Sequence, residues 1–285
     1  MRNLKGVKED VGKIKTKMGF MCIYIVLILL AIFAVTPFYW AAVSSFKTSS
    51  ELFERPNIII ENPTLENYTD LFTTTSYARW FANSCIVAVS YTILVLFFSS
   101  LGGFGFAKYE FRGKNILFLV ALSSMTVPLW GIVIPLFVWF SRLGLIDTYW
   151  ALILPGSASA FGIFLMRQYI QGIPSEMLDS ARIDGCSEFQ IYYRIVLPVI
   201  KPALGALAIY AFLLSWNNFF LPLIFVRSPE MFTLPVGLAA FVGQKDPKFG
   251  MLMAGGILSF LPVLIIFLTM QKQLVAGLTL GAVKG

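Results

Sequence analysis

Histidine is absent from the 285 residues, and charge is scarce: Asp, Glu, Lys and Arg together make up 13% of the chain, where a soluble globular protein carries about 25%. The missing imidazole excludes H-E-x-x-H metalloproteases, Ser-His dyads and histidine-ligated haem. No G-x-x-x-x-G-K-[ST] phosphate loop occurs; the nearest fragment, Gly113-Lys114-Asn115, lacks both the spacing and the hydroxyl. Cysteine is nearly absent. Cys22, Cys85 and Cys186 are scattered, without the spacing of a zinc site or a disulfide framework, and read as packing residues. Internal repeats and low-complexity tracts are also missing.

What remains is 58% hydrophobic and gathers into six stretches, 18–43, 80–107, 115–141, 148–166, 202–226 and 249–271, none holding a single Asp, Glu, Lys or Arg. Each is about as long as a bilayer-spanning helix needs to be. The expected fold class is therefore all-α, a polytopic membrane protein with six transmembrane helices, a basic leader at 1–17 and a tail at 272–285. The first stretch follows a basic leader as a signal peptide would. It is too long for an apolar h-region, however, and no A-x-A-like cleavage site closes it. An aspartyl mechanism has no acidic pair within the spans, and a secondary transporter usually shows its coupling through intramembrane charge. An ion-coupled secondary transporter that binds sodium through carbonyls and hydroxyls stays open as the alternative.

Lys and Arg set the orientation. Fifteen fall in the leader, the second and fourth connections and the tail, and seven on the other side. Both termini are thus expected in the cytoplasm. The net charge of +7 follows from this topology and from anionic membrane lipid, not from nucleic acid. Small or helix-breaking residues recur inside the spans at Gly102-Gly103, Gly105, Pro128, Pro135, Pro155-Gly156-Ser157, Gly255-Gly256 and Pro262. They suit close helix packing, and some suit a solute path.

The cytoplasmic segment 167–201 carries the most information. Ser175 is the expected N-cap of a short helix, with Glu176 and Asp179 near its positive dipole end. Gly185 should end that helix. Ser187-Glu188-Phe189-Gln190 has the pattern of a capping box opening a second helix that ends near Leu197-Pro198. A helical pair of this kind suits docking into another protein's cleft, and an interfacial helix lying on the membrane fits the same residues.

Asp179-Ser180-Ala181, then three residues, Gly185, nine residues and Ile195-Val196-Leu197-Pro198 resembles the EAA signature of binding-protein-dependent ABC importer permeases. Asp-Ser-Ala stands where the family has Glu-Ala-Ala. Pro63-Thr64-Leu65-Glu66-Asn67-Tyr68, Leu143-Gly144-Leu145-Ile146-Asp147-Thr148, Trp216-Asn217, Thr233-Leu234-Pro235-Val236-Gly237-Leu238 and Gly281-Ala282-Val283-Lys284-Gly285 extend the likeness along the chain. The resemblance narrows to carbohydrate permeases similar to the second membrane subunit of maltose importers.

That resemblance implies a bacterial inner-membrane permease that is not itself an enzyme. Its partners would be a second permease subunit, an ATPase dimer binding ATP and Mg²⁺, and an extracytoplasmic sugar-binding protein. It implies that Glu176, Asp179, Ser180, Ala181, Asp184, Gly185, Leu197 and Pro198 form the coupling segment seated in an ATPase. It also implies that Phe241, Val242, Gly243 and Gln244 form a loop reaching the binding protein; an ordinary solvated loop fits as well. Trp130, Trp216, Asn217 and Asn218 pair aromatic faces with amides, the chemistry that suits sugar rings. Interfacial anchoring and helix-helix hydrogen bonding account for the same four.

Overall fold

The computed structural model describes residues 3–48, 51–52, 59–242 and 248–279. Every regular element among them is a helix. They divide into two compact units: one holds the described residues up to Leu71 with Lys248–Leu258, the other those of 72–242 and from Ser259 onward.

In the first unit a single helix, Asn3–Ser45, runs through both the basic leader and the first apolar stretch. From Gly19 to Ser45 it is apolar enough to cross a bilayer. Asn67 then caps this helix's exit, its amide nitrogen donating to the Ser45 and Lys47 carbonyls at 2.9 and 2.8 Å. The Tyr68 and Ser45 hydroxyls pair at 2.7 Å. A short helix, Glu66–Thr74, follows the bend before Pro63-Thr64.

The second unit is built on the helix Tyr77–Lys108, the second span. Its buried start ties down a distant loop. Trp80 donates to the Pro229 carbonyl at 2.9 Å, and the Asn83 amide donates to the Glu230 and Phe232 carbonyls while accepting from the Tyr149 hydroxyl. Its later half lies against the helix Ala160–Gln171 at a distance only small residues permit. A Cβ on Gly103 would stand 2.6 Å from the Met166 Cβ, and one on Gly162 would stand 2.1 Å from the Ser99 hydroxyl.

Six spans were expected; among the described residues three helices, Gly19–Ser45, Tyr77–Lys108 and Phe249–Gln271, cross by length and apolarity. Two bent pairs would raise the number to five: Lys114–Thr126 with Leu129–Arg142 at 102°, and Glu188–Val199 with Lys201–Trp216 at 79°. The stretch 148–166 is not one helix. Tyr149–Ile153 stops before Pro155, Gly156 takes a φ of +79°, and Ala160–Gln171 begins under a Ser159 cap. Proline removes a donor and glycine tolerates the left-handed turn, so the helix breaks there. The fifth stretch also breaks, at 217–219, before Phe220–Phe225.

Candidate functional site

Between the helices Ala160–Gln171 and Lys201–Trp216 lies an elbow made of the helix Ser175–Ile183, a glycine turn and a second helical run over Glu188–Val199. The first helix starts after Pro174, whose extended ψ of 135° makes it the cap in place of the expected Ser175. A residue's shift at a helix end is small, but the serine hydroxyl is not the capping group: the cap makes no side-chain hydrogen bond. The helix ends as expected. Gly185 has a φ of +83°, its N–H donates to the Arg182 carbonyl at 3.0 Å, and the Cys186 N–H donates to the Ala181 carbonyl at 2.9 Å. This is the paired closure of a Schellman turn. The capping box is fully formed, Gln190 N to Ser187 Oγ at 3.3 Å and Ser187 N to Gln190 Oε1 at 2.7 Å.

The elbow has two faces. Leu178, Ala181, Ile191, Tyr192 and Val196 are buried in the cluster that holds Val95, Phe104, Met166 and Leu207, with Leu197 packed at its edge. Ala181 therefore acts through packing, whereas Glu176, Asp179, Ser180, Asp184, Gly185 and Pro198 lie at the exposed surface. The elbow also exposes apolar side chains without a role in the sequence reading, among them Met177, Phe189 and Ile183, 46%, 65% and 86% exposed. Ile183 is the most exposed large apolar side chain among the described residues, and it lies outside every apolar stretch. The helical period could have found it, because with Leu178 and Ala181 turned inward, position 183 points out.

Charge fixes the elbow's shape. Arg182 reaches Asp179 at 2.6 Å and Glu188 at 2.8 Å, bridging the turn. Glu188 also accepts a hydrogen bond from the Tyr109 hydroxyl, at the end of the second span. The hydrogen bond from Arg182, then that from Tyr109, holds the Glu188 carboxyl below its ordinary range. Burial first, and then the glutamate, pushes the Tyr109 phenol up to about 12. Bonding to Glu188 and Asp179 raises Arg182 further. Near neutral pH the three groups thus stay phenol, carboxylate and guanidinium.

Of the four residues assigned to the solute path, one lines a cavity. It measures about 180 Å³ and is bounded by Tyr91, Leu129, Leu152, Pro155, Gly156, Leu214, Ser215, Asn218 and Leu221. Two of the helix breaks contribute to it, those at 154–159 and 217–219. Asn218 accepts from the Leu221 N–H at 3.2 Å, which starts the next helix. Trp216 is buried instead, its indole donating to the Ser259 carbonyl at 3.2 Å and its ring stacked on Phe212. Asn217 folds back onto the Leu213 carbonyl at 3.0 Å, and Trp130 is exposed against Phe220. Tyr91, which donates to the Gly156 carbonyl at 3.3 Å, and Ser215 are the polar lining groups missing from the sequence reading.

The expected outer loop is partly a helix, Leu234–Val242. Phe241 is buried against Trp80, their ring centroids 5.7 Å apart, because an aromatic with a core within reach packs into it. Gly243, Gln244 and the closing residues Gly281 to Gly285 lie outside the described residues.

Residues 95–279, more than half of the chain and including the whole elbow, match the family described as binding-protein-dependent transport system inner membrane component. The chain belongs to this family. As an inner membrane component it is a multi-pass membrane protein and an ABC-type permease by fold. It is similar to the arabinooligosaccharides transport system permease protein AraQ of Bacillus subtilis (strain 168), 45% identical over 90% of this chain and 93% of that protein. It is also similar to the lactose transport system permease protein LacG of Rhizobium radiobacter, 34% identical over 92% and 95%. The fold of the permease matches a chain in the crystal structure of a bacterial ABC transporter involved in the import of the acidic polysaccharide alginate, with a TM-score of 0.80 at 21% identity, covering 90% of this chain and 96% of that one.

Proposed function

We propose that this permease is one of two membrane subunits of an ATP-driven, binding-protein-dependent importer of carbohydrate in the bacterial inner membrane, with both termini cytoplasmic. The observation that carries the reading is Ile183. A large apolar side chain 86% exposed on a polar elbow, outside the spans, is costly in water and suits a partner's cleft. Met177 and Phe189 are further exposed apolar side chains of the elbow, and apolar groups set among charged ones are the composition of a protein interface.

In this reading a pair of ATPase subunits holds ATP and Mg²⁺ and seats the elbow, with Glu176, Asp179, Asp184 and Gly185 at the contact. Closure of the ATPases moves the elbow as a rigid body, and the spans switch between inward-open and outward-open states. The names of two relatives, which include arabinooligosaccharides and lactose, support a small oligosaccharide as cargo. Tyr91, Ser215 and Asn218 supply hydroxyls and an amide beside apolar walls, a lining compatible with a sugar. Irregular backbone at membrane depth is tolerated where it faces such a cavity. An extracytoplasmic binding protein delivers the sugar from the opposite face.

The test is reconstitution of the permease with its neighbouring subunits, measuring ATP hydrolysis against a panel of sugars loaded on the binding protein. Stimulation by one class of oligosaccharide is expected. Transport that needs no ATP and follows an ion gradient would place the chain among secondary transporters instead.

A further inference from the structure

The second span ends in two consecutive residues that grip the elbow on either side of its first helix. Lys108 donates through Nζ to the carbonyl of Ile173, just before that helix begins. Tyr109 donates through its hydroxyl to the carboxylate of Glu188, just after the glycine turn. Glu188 passes the connection on to Arg182 and Asp179 within the helix itself. We propose that Lys108 and Tyr109 form a two-point clamp that makes the elbow helix and the second span move as one body, so that the push of a docked ATPase becomes displacement of the span.

Without such ties the elbow helix is held by short linkers, 172–174 and 184–187, and by its inward face. Leu178 and Ala181 resist withdrawal from the core, but apolar contact is non-directional and does little against rotation in place. Hydrogen bonds to charged groups are directional and stronger than neutral ones, and two of them at opposite ends of a helix fix its axis. Span and elbow are further keyed together beside the clamp. The Phe104 ring meets the edge of Tyr109 at 5.3 Å and lies 5.8 Å from Tyr192, whose hydroxyl pairs with Ser100 at 2.7 Å in the buried core. The elbow's carboxylates and guanidinium are between 37% and 60% exposed, and exposed pairs of this kind add little to stability. Their effect is on orientation more than on folding, which separates the clamp from a structural brace.

The inference rests on the importer reading, and the experiment separates the two. The complete complex is reconstituted with wild-type chain, with the double variant Lys108→Met/Tyr109→Phe, and with Glu110→Gln. The last removes a nearby surface pair, Lys114–Glu110 at 2.8 Å, that does not touch the elbow. ATPase retention, ATP hydrolysis and sugar transported per ATP are measured together. The double variant is expected to keep its ATPase and hydrolyse ATP close to the wild-type rate while sugar per ATP falls by about fivefold or more, the lower range of a coupling energy between sites. Glu110→Gln is expected to leave the ratio unchanged. An unchanged ratio in the double variant overturns the clamp, as does a proportional loss of transport and hydrolysis. Failure of the wild-type chain to retain an ATPase at all overturns the importer reading, and the clamp with it, before any variant is compared.

Discussion

Ile183→Asp is expected to strip the ATPase from the permease while leaving the permease folded in the membrane. The side chain is 86% exposed, so the isolated chain loses almost nothing by the change. In the docked complex the same position loses an apolar anchor and gains a carboxylate that must be desolvated without a partner. Anchors of this kind cost about 2 kcal/mol or more when removed, roughly a 30-fold loss of affinity. Co-purification at fixed salt reads the effect directly. Full ATPase retention by Ile183→Asp would move the docking surface elsewhere. Leu178→Asp is the contrast, since Leu178 is buried in the core cluster and a charge there unfolds the elbow itself. Gly185→Arg is a less pointed test. No atom lies within 4 Å of a Cβ at Gly185, so the chain itself has room for the side chain, and the +83° φ adds backbone strain to whatever the charge does.

Gly103→Val is expected to prevent assembly of the membrane core. Its Cβ would sit 2.6 Å from the Met166 Cβ and 2.9 Å from the Arg167 backbone nitrogen, and a backbone atom cannot rotate away. The helix Ala160–Gln171 must separate from the second span, which empties the cluster around Met166, Ile170 and Leu207. Overpacking of this severity costs about 3 kcal/mol or more, a large share of a stability of about 5–15 kcal/mol. Gly105→Val on the same helix is the control, because nothing lies within 4 Å of its Cβ. Folded yield and thermal unfolding of the purified chain should separate the two variants. Equal behaviour would mean the helices are not this close.

The features legible in the sequence were those written in local order. Apolar length gave the spans at 18–43, 80–107 and 249–271, and turn chemistry gave the elbow: Gly185 is in the left-handed region and the Ser187–Gln190 box has both its bonds. Pro155-Gly156-Ser157 is one of several groups of small or helix-breaking residues within the apolar stretches, yet the fourth stretch reads as one span, because composition does not say when a break divides a helix. Pairings across long sequence separations were illegible. Nothing near Tyr109 points to Glu188, nor near Tyr91 to Gly156. The solute-path reading of Trp216 rests on residue type and the outer-loop reading of Phe241 on the family resemblance, and both side chains are buried: an aromatic is as good a core residue as a binding surface, and only neighbours decide. Ile183 was overlooked for the opposite reason, a lone apolar residue among polar ones, although its helical phase marks it as outward.

The proposed function requires the elbow's outer face to be covered by an ATPase. Its most direct measurement is labelling of Ile183→Cys by a water-soluble maleimide, in a chain whose Cys22, Cys85 and Cys186 have been replaced, with and without the ATPase subunits. Rapid labelling of the permease alone and strong protection in the assembled complex are the expected results; a cysteine at 183 that labels equally fast in both would contradict the account.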